Sequence, residues 1–92
     1  MYEPLTDPAA IAAANQYFDD LIALADPPAA LPHLRPVVED LRSEALTHAG
    51  MLRTQNHLRG FLWGLMVAEA LTAEQARTMT QRLDSGRAAG WL

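Results

Sequence analysis

The chain has no cysteine and no lysine. Without cysteine there is neither a disulfide framework nor a thiolate metal site, and a reducing cytoplasm is the default compartment. Without lysine all seven basic residues are arginine, a bias that points to a GC-rich source and says little about chemistry. Long apolar runs are also missing. The longest, Gly60–Ala68, is far short of the ~20 residues that a membrane-spanning helix requires. The opening Met-Tyr-Glu-Pro-Leu-Thr-Asp-Pro has no basic region and no apolar core, so no signal peptide is expected. No strand-like alternation and no internal repeat is present. These absences predict a soluble, all-α protein with no membrane association.

What is there is compatible with one small domain over residues 1–92. Half of the chain is hydrophobic, ample for a core. A chain of this size buries only about 60–65% of its unfolded surface, so its stability is modest unless a partner covers more. The net charge is −4 and unevenly spread. Residues 1–44 hold eight acids against two arginines, and residues 45–92 hold three acids against five arginines. Such asymmetry marks a nucleic-acid face, complementary packing in a dimer, or nothing.

Four helices are expected. Asp7-Pro8 is an N-cap carboxylate followed by proline at the first helical position. Behind it Ile11, Ala14, Phe18, Leu21, Ile22 and Ala25 recur at helical spacing and set helix 1 at 8–25. Pro27, Pro28 and Pro32 make 26–33 a linker, with Leu31 packing onto the core. Helix 2, at 35–50, carries the stripe Val38, Leu41, Ala45, Ala49 and Leu52. That stripe does not continue through Leu58, Leu62, Leu65 and Met66, which fall on roughly the opposite side at ~100° per residue. A break or kink between Gly50 and Asn56 follows, with helix 3 at 54–70. Thr72 and Gln75 form a capping box that opens helix 4 at 73–84, ended by Ser85-Gly86; residues 85–92 are a tail. Leu71-Thr-Ala-Glu-Gln75 behind an apolar helix resembles the short helical hairpins appended to many bacterial proteins. Glu69 stands where such a hairpin has glycine, and Ala76 where it has an aromatic. The expected core is Phe18, Leu21, Ile22, Leu41, Leu52, Leu62, Leu65, Met66, Met79 and Leu83.

The chemistry-bearing residues form no recognisable active site. His33, His48 and His57 lack the i, i+4 spacing of a helical metal pair. Asp19-Asp20 and Glu39-Asp40 are adjacent on helices and point ~100° apart, so they read as solvated faces. Ser43 and Ser85 belong to no triad pattern. No enzyme activity, cofactor or metal is expected. Gly60-Phe-Leu-Trp-Gly64 is a small-xxx-small pattern that allows close helix approach, within the bundle or between two copies. Arg53, Gln55, Asn56, His57 and Arg59 form a basic belt just ahead of it.

The expected function is non-enzymatic protein binding by a small accessory or inhibitory protein. Proteins of this kind are frequent in phages and mobile elements, where some block host complexes. The contact candidates are Arg53, Asn56, Arg59, Gly60, Trp63, Gly64 and Trp91, and a homodimer that uses the glycine groove and the Trp91-Leu92 tail is expected. The alternative is a helix-turn-helix-like DNA-binding regulator reading bases with Gln75, Arg77, Thr78, Gln81 and Arg82 on the 72–83 helix. An acidic chain opposes phosphate, so nucleic acid is the less favoured partner.

Overall fold

Asp7 begins the first helix as expected, its carboxylate accepting from the Ala9 N–H at 3.4 Å and its carbonyl from Ile11. In the computed structural model, which describes residues 3–29, 33–88, 90 and 91, four helices follow: α1 (Pro8–Ala29), α2 (Leu34–Thr47), α3 (Leu52–Val67) and α4 (Ala73–Ala88). There is no strand among the described residues. The helices pack in a ring, α1 on α2, α2 on α3, α3 on α4 and α4 back on α1. The architecture is a small all-α four-helix bundle.

The helix ends correct several expectations. The first helix runs past Pro27 and Pro28 to Ala29 instead of ending at residue 25. A proline forfeits its own bond to the carbonyl four residues back, and a final turn that stops directly afterwards tolerates that loss. The helix thus takes in residues 26–29 of the expected linker 26–33, and Leu31 lies outside the described residues. The second helix stops at Thr47, with Gly50 in the left-handed region at φ 82° two residues beyond its His48 cap. The break between helices 2 and 3 is therefore real. Backbone groups near this end are occupied by the N-terminal arm, where the Leu5 N–H donates to the Leu46 carbonyl and the Ala49 N–H to the Glu3 carbonyl. The first of these bonds gives one terminal carbonyl of α2 a partner that the helix itself lacks, and the second engages a donor just beyond the helix.

α3 ends at Val67, three residues earlier than expected, in a Schellman motif. The Ala70 N–H donates to the Leu65 carbonyl and the Glu69 N–H to that of Met66. Glu69 holds the left-handed position at φ 63°, where glycine is the usual residue. A non-glycine there costs about 1–2 kcal/mol. Buried Leu65 and Ala70 supply the apolar contact that accompanies the motif. Directly after it, the Thr72 N–H donates to Gln75 Oε1 at 2.9 Å and the Gln75 N–H to Thr72 Oγ1 at 3.1 Å, a complete capping box. Thr72→Ala is expected to lower stability by about 1 kcal/mol in equilibrium denaturation. An unchanged midpoint would mean that the box contributes nothing.

α4 continues through Ser85 and Gly86 to Ala88. Gly86 does not end it. The left-handed turn belongs to Gly90 at φ 86°, and the Trp91 N–H returns to the Gly86 carbonyl at 3.1 Å. The glycine at 86 has a different reason. A Cβ there would stand 2.7 Å from the Trp91 ring.

The core differs from expectation in a patterned way. Phe18, Leu21, Leu41, Leu62, Leu65, Met79 and Leu83 are buried, and Ile22 and Met66 are half-buried. Leu52 is 58% exposed. The break at Gly50 detaches it from the α2 stripe, and the rotation of α3 is set by Leu58 and Leu62. Tyr17, Leu58 and Trp91 enter the core in its place. The Tyr17, Phe18 and Trp91 rings form one cluster with centroids 5.2–5.8 Å apart.

Asp19 and Asp20 are neither a carboxylate pair nor a merely solvated face. Facing two sides of α1, they draw in arginines from two neighbouring helices: Arg42 of α2 reaches Asp19 at 2.7 Å and Arg82 of α4 reaches Asp20 at 2.9 Å. The same guanidinium groups lie over aromatic rings, Arg42 over Phe18 and Arg82 over Tyr17. Part of the charge asymmetry is thereby satisfied inside the chain, with Arg82 on Asp20, and Arg53 and the Thr54 hydroxyl on Glu44.

The Tyr17 hydroxyl donates to the Met79 carbonyl at 3.2 Å within the core. Burial raises its pKa far above the ordinary phenol value, and the nearby Arg82 and Arg59 only partly oppose that. In the unfolded chain tyrosine ionises near about pH 10, whereas in the folded protein Tyr17 keeps its proton. The unfolded state therefore binds fewer protons above that pH, and stability is full below it and falls as pH rises through it. No lysine or cysteine titrates alongside. Tyr17→Phe is expected to move the alkaline unfolding midpoint upward, read by circular dichroism together with tyrosinate absorbance. An unmoved midpoint would remove Tyr17 as the cause.

Candidate protein-binding face

α3 lies at the outside of the bundle along one side. Leu58, Leu62 and Leu65 point inward, with Thr54 and Gln55 buried near the N-terminal end. At ~100° per residue, Asn56, Gly60, Trp63, Gly64 and Val67 fall together on the opposite side, and all five are exposed. Trp63 is 66% and Val67 68% exposed, the two largest exposures among the large apolar side chains described. Val67 escaped the sequence reading because it sits within the most apolar run of the chain. Only the rotation of the helix reveals that it faces out.

A Cβ built on Gly60 or Gly64 meets nothing within 4 Å. Of the two alternatives for these glycines, a tight crossing within the bundle is thereby excluded among the described residues. Each costs about 1 kcal/mol in a helix interior, with no close approach among the described residues to account for it. Gly60→Ala and Gly64→Ala should each raise monomer stability by about 0.5–1 kcal/mol in urea titrations. A loss of stability would show that the space over them is filled.

The remaining contact candidates divide. Arg53 lies at the N-terminal end of the face, its side chain 68% exposed and 3.6 Å from Glu44. His57 is exposed, 3.9 Å from the same carboxylate. Arg59 lies at the flank, bound to Asp84 of α4. Trp91 does not belong to the face at all. It is 3% exposed and packed on Tyr17 and Phe18 of its own chain, which removes it from the expected dimer contact. Its neighbour Leu92 lies outside the described residues.

Beside the face, α3 and α4 border a groove of about 360 Å³. Leu62, Met66 and Ala76 give it an apolar base, and Arg59, Trp63, Arg77 and Gln81 stand around it. Two of these, Arg77 and Gln81, are among the DNA-contact candidates, and with Thr78 they are exposed. The other two candidates are engaged elsewhere: Gln75 closes the capping box and Arg82 binds Asp20 above the Tyr17 ring. Among the described residues no three histidines or carboxylates gather as metal ligands, and no helix is long and apolar enough to cross a membrane.

Fold and surface together define a small helical bundle in which, among the described residues, nothing packs over the outer face of α3 at Gly60 and Gly64. Comparison with models of protein families, with curated proteins and with solved structures finds no match to this chain.

Proposed function

We propose that the protein is a non-enzymatic protein-binding module, a small accessory or inhibitory protein that acts through the outer face of α3. One observation carries this reading. Gly60 and Gly64 leave open space on a helix surface, directly beside a tryptophan and a valine that are each about two-thirds exposed. Glycine at these positions weakens the helix, and exposed Trp63 and Val67 leave apolar area in water. A second surface laid on the face offsets both, since it approaches closely over the glycines and covers the tryptophan. Tryptophan and arginine are also the residues that most often dominate binding energy, and Arg53 and Arg59 border this one. An amphipathic helix is the occupant best suited to such a surface.

DNA recognition by residues 72–83 has less support. Two of its five contact residues are held by intramolecular bonds, and the net charge of −4 opposes phosphate.

The test is affinity purification of the full chain from its native cell, beside a Trp63→Ala variant, with mass spectrometry of what accompanies each. The variant changes a side chain that the bundle does not need. Species retained by the unchanged chain and lost with the variant are expected. An identical set with both would mean that this face makes no contact.

A further inference from the structure

We infer that the groove between α3 and α4 is a binding site for a small amphiphilic monocarboxylate, an apolar body ending in one carboxylate. The site adjoins the outer face of α3 at Trp63 but needs no protein partner, so it goes beyond the reading above. Size sets the class of occupant. About 360 Å³ lies near the low end of the range for small-molecule sites, whereas a stable protein contact spreads over about 800 Å² of each partner. The floor sets the body of the ligand. Leu62 and Ala76 are buried there and Met66 is half-buried, so these side chains offer contact without strong hydrogen bonds. The unbranched thioether of methionine adapts to the shape laid on it. Trp63 stands at the rim with 66% of its surface exposed, an apolar wall for a bound hydrocarbon to cover.

Charge sets the head group. No acid lines the groove. The chain has eleven acids for seven arginines, and most of the arginines are taken up within it. Arg42 pairs with Asp19, Arg53 with Glu44, Arg59 with Asp84 and Arg82 with Asp20, and Arg35 is engaged as well. Among the described arginine side chains Arg77 alone has no partner, although Glu74 stands one turn earlier on α4. Gln81 follows Arg77 by four positions, on the same side of the helix, and its amide also makes no hydrogen bond among the described residues. Both border the groove. A guanidinium takes a carboxylate through two parallel bonds, and the Gln81 amide stands one turn away to donate a third. Thr80 does not compete, since its hydroxyl donates to the Ala76 carbonyl at 2.8 Å. Arg59 is the other cation at the groove and is neutralised by Asp84, which leaves one uncompensated positive charge. A monoanion balances that charge. A phosphate monoester, with close to two charges, adds a surplus to a chain already at −4.

Tryptophan fluorescence of the full chain reads the site directly. The chain has two tryptophans, and Trp91 lies inside the bundle, so Trp63 reports the groove. The probe is octanoate, added below the concentration at which it forms micelles. A saturable blue shift is expected as the hydrocarbon displaces water from the indole, with a dissociation constant on the order of 1 mM for so small and open a contact. Octanol has the same body without the charge. Apolar partition alone would favour octanol, whereas the Arg77 site should bind it about fivefold or more weakly than octanoate. Arg77→Gln keeps a good helix former on an exposed position and should weaken octanoate by a similar factor while leaving octanol unchanged. Trp63→Phe should abolish the shift. No saturable shift with octanoate, octanol bound as tightly as octanoate, or octanoate bound equally by the Arg77→Gln chain overturns the inference. The first two comparisons use the unchanged chain, so they hold whatever the variants do. The protein-binding reading is tested by the Trp63→Ala purification without any carboxylate, and either can therefore fail alone.

Discussion

Trp91→Ala is expected to destabilise the protein by about 3–5 kcal/mol, the range for removing a large aromatic from a packed interior. A domain of this length has a total stability of roughly 5–14 kcal/mol, so the loss runs from about a fifth of it to nearly all of it. The ring is 3% exposed and stands against Tyr17 at 5.2 Å and Phe18 at 5.8 Å between centroids. Its backbone N–H also closes the turn onto Gly86. Residues from the two ends of the chain meet in this one cluster, so removing the ring leaves a cavity that neither end can fill alone. Equilibrium urea denaturation followed by circular dichroism measures the loss. A change below about 1 kcal/mol, typical of a surface substitution, would show that the C-terminal segment is not docked as described.

Gly86→Ala should destabilise by about 1–3 kcal/mol, against the usual direction for glycine within a helix. Alanine at such a position ordinarily adds stability, because it restricts the unfolded chain and favours the helix. Here the added methyl would lie 2.7–2.9 Å from three atoms of the Trp91 ring. The atoms that it meets belong to a rigid indole packed against Tyr17 and Phe18, so the whole ring has to shift to admit the methyl. A two-residue cycle tests the cause. In a Trp91→Ala background the methyl has no ring to meet, and Gly86→Ala should turn neutral or stabilising. If the penalty persists there, the helix at residue 86 resists a side chain for another reason.

The local signals were legible because they are made by residues close in sequence. Asp7-Pro8 starts α1, and Thr72 with Gln75 starts α4, by bonds spanning two or three residues. The opposed stripes before and after Gly50 placed the break between α2 and α3, and a left-handed glycine stands there. Glu69 stands where a hairpin of this type has glycine, and it does adopt the left-handed conformation. Gly86 is ambiguous in the sequence because glycine has two uses, to turn a chain and to let another group come close. Sequence position alone does not separate them. Four residues later Gly90 makes the turn, and Gly86 accommodates the ring.

The outer face of α3 was half legible. The basic belt and the glycine pair mark Arg53, Asn56, Arg59, Gly60, Trp63 and Gly64 as contact candidates in the sequence, and the structure sets all but Arg59, which binds Asp84, along one outer side of α3. Trp91 was grouped with them only because a tryptophan near the end of a chain looks unsheltered, and its shelter is Tyr17, more than seventy positions away in the numbering. The sequence by itself determined an all-α chain, its helix starts and the break at Gly50, since hydrogen bonds and side-chain periodicity within a few residues decide these. The tertiary structure alone decided that Asp19 and Asp20 each hold an arginine, that Leu52 and Val67 face out, and that Trp91 lies inside. Those outcomes depend on how far each helix rotates about its axis once all four pack together, and that rotation belongs to the assembled core and to no single segment.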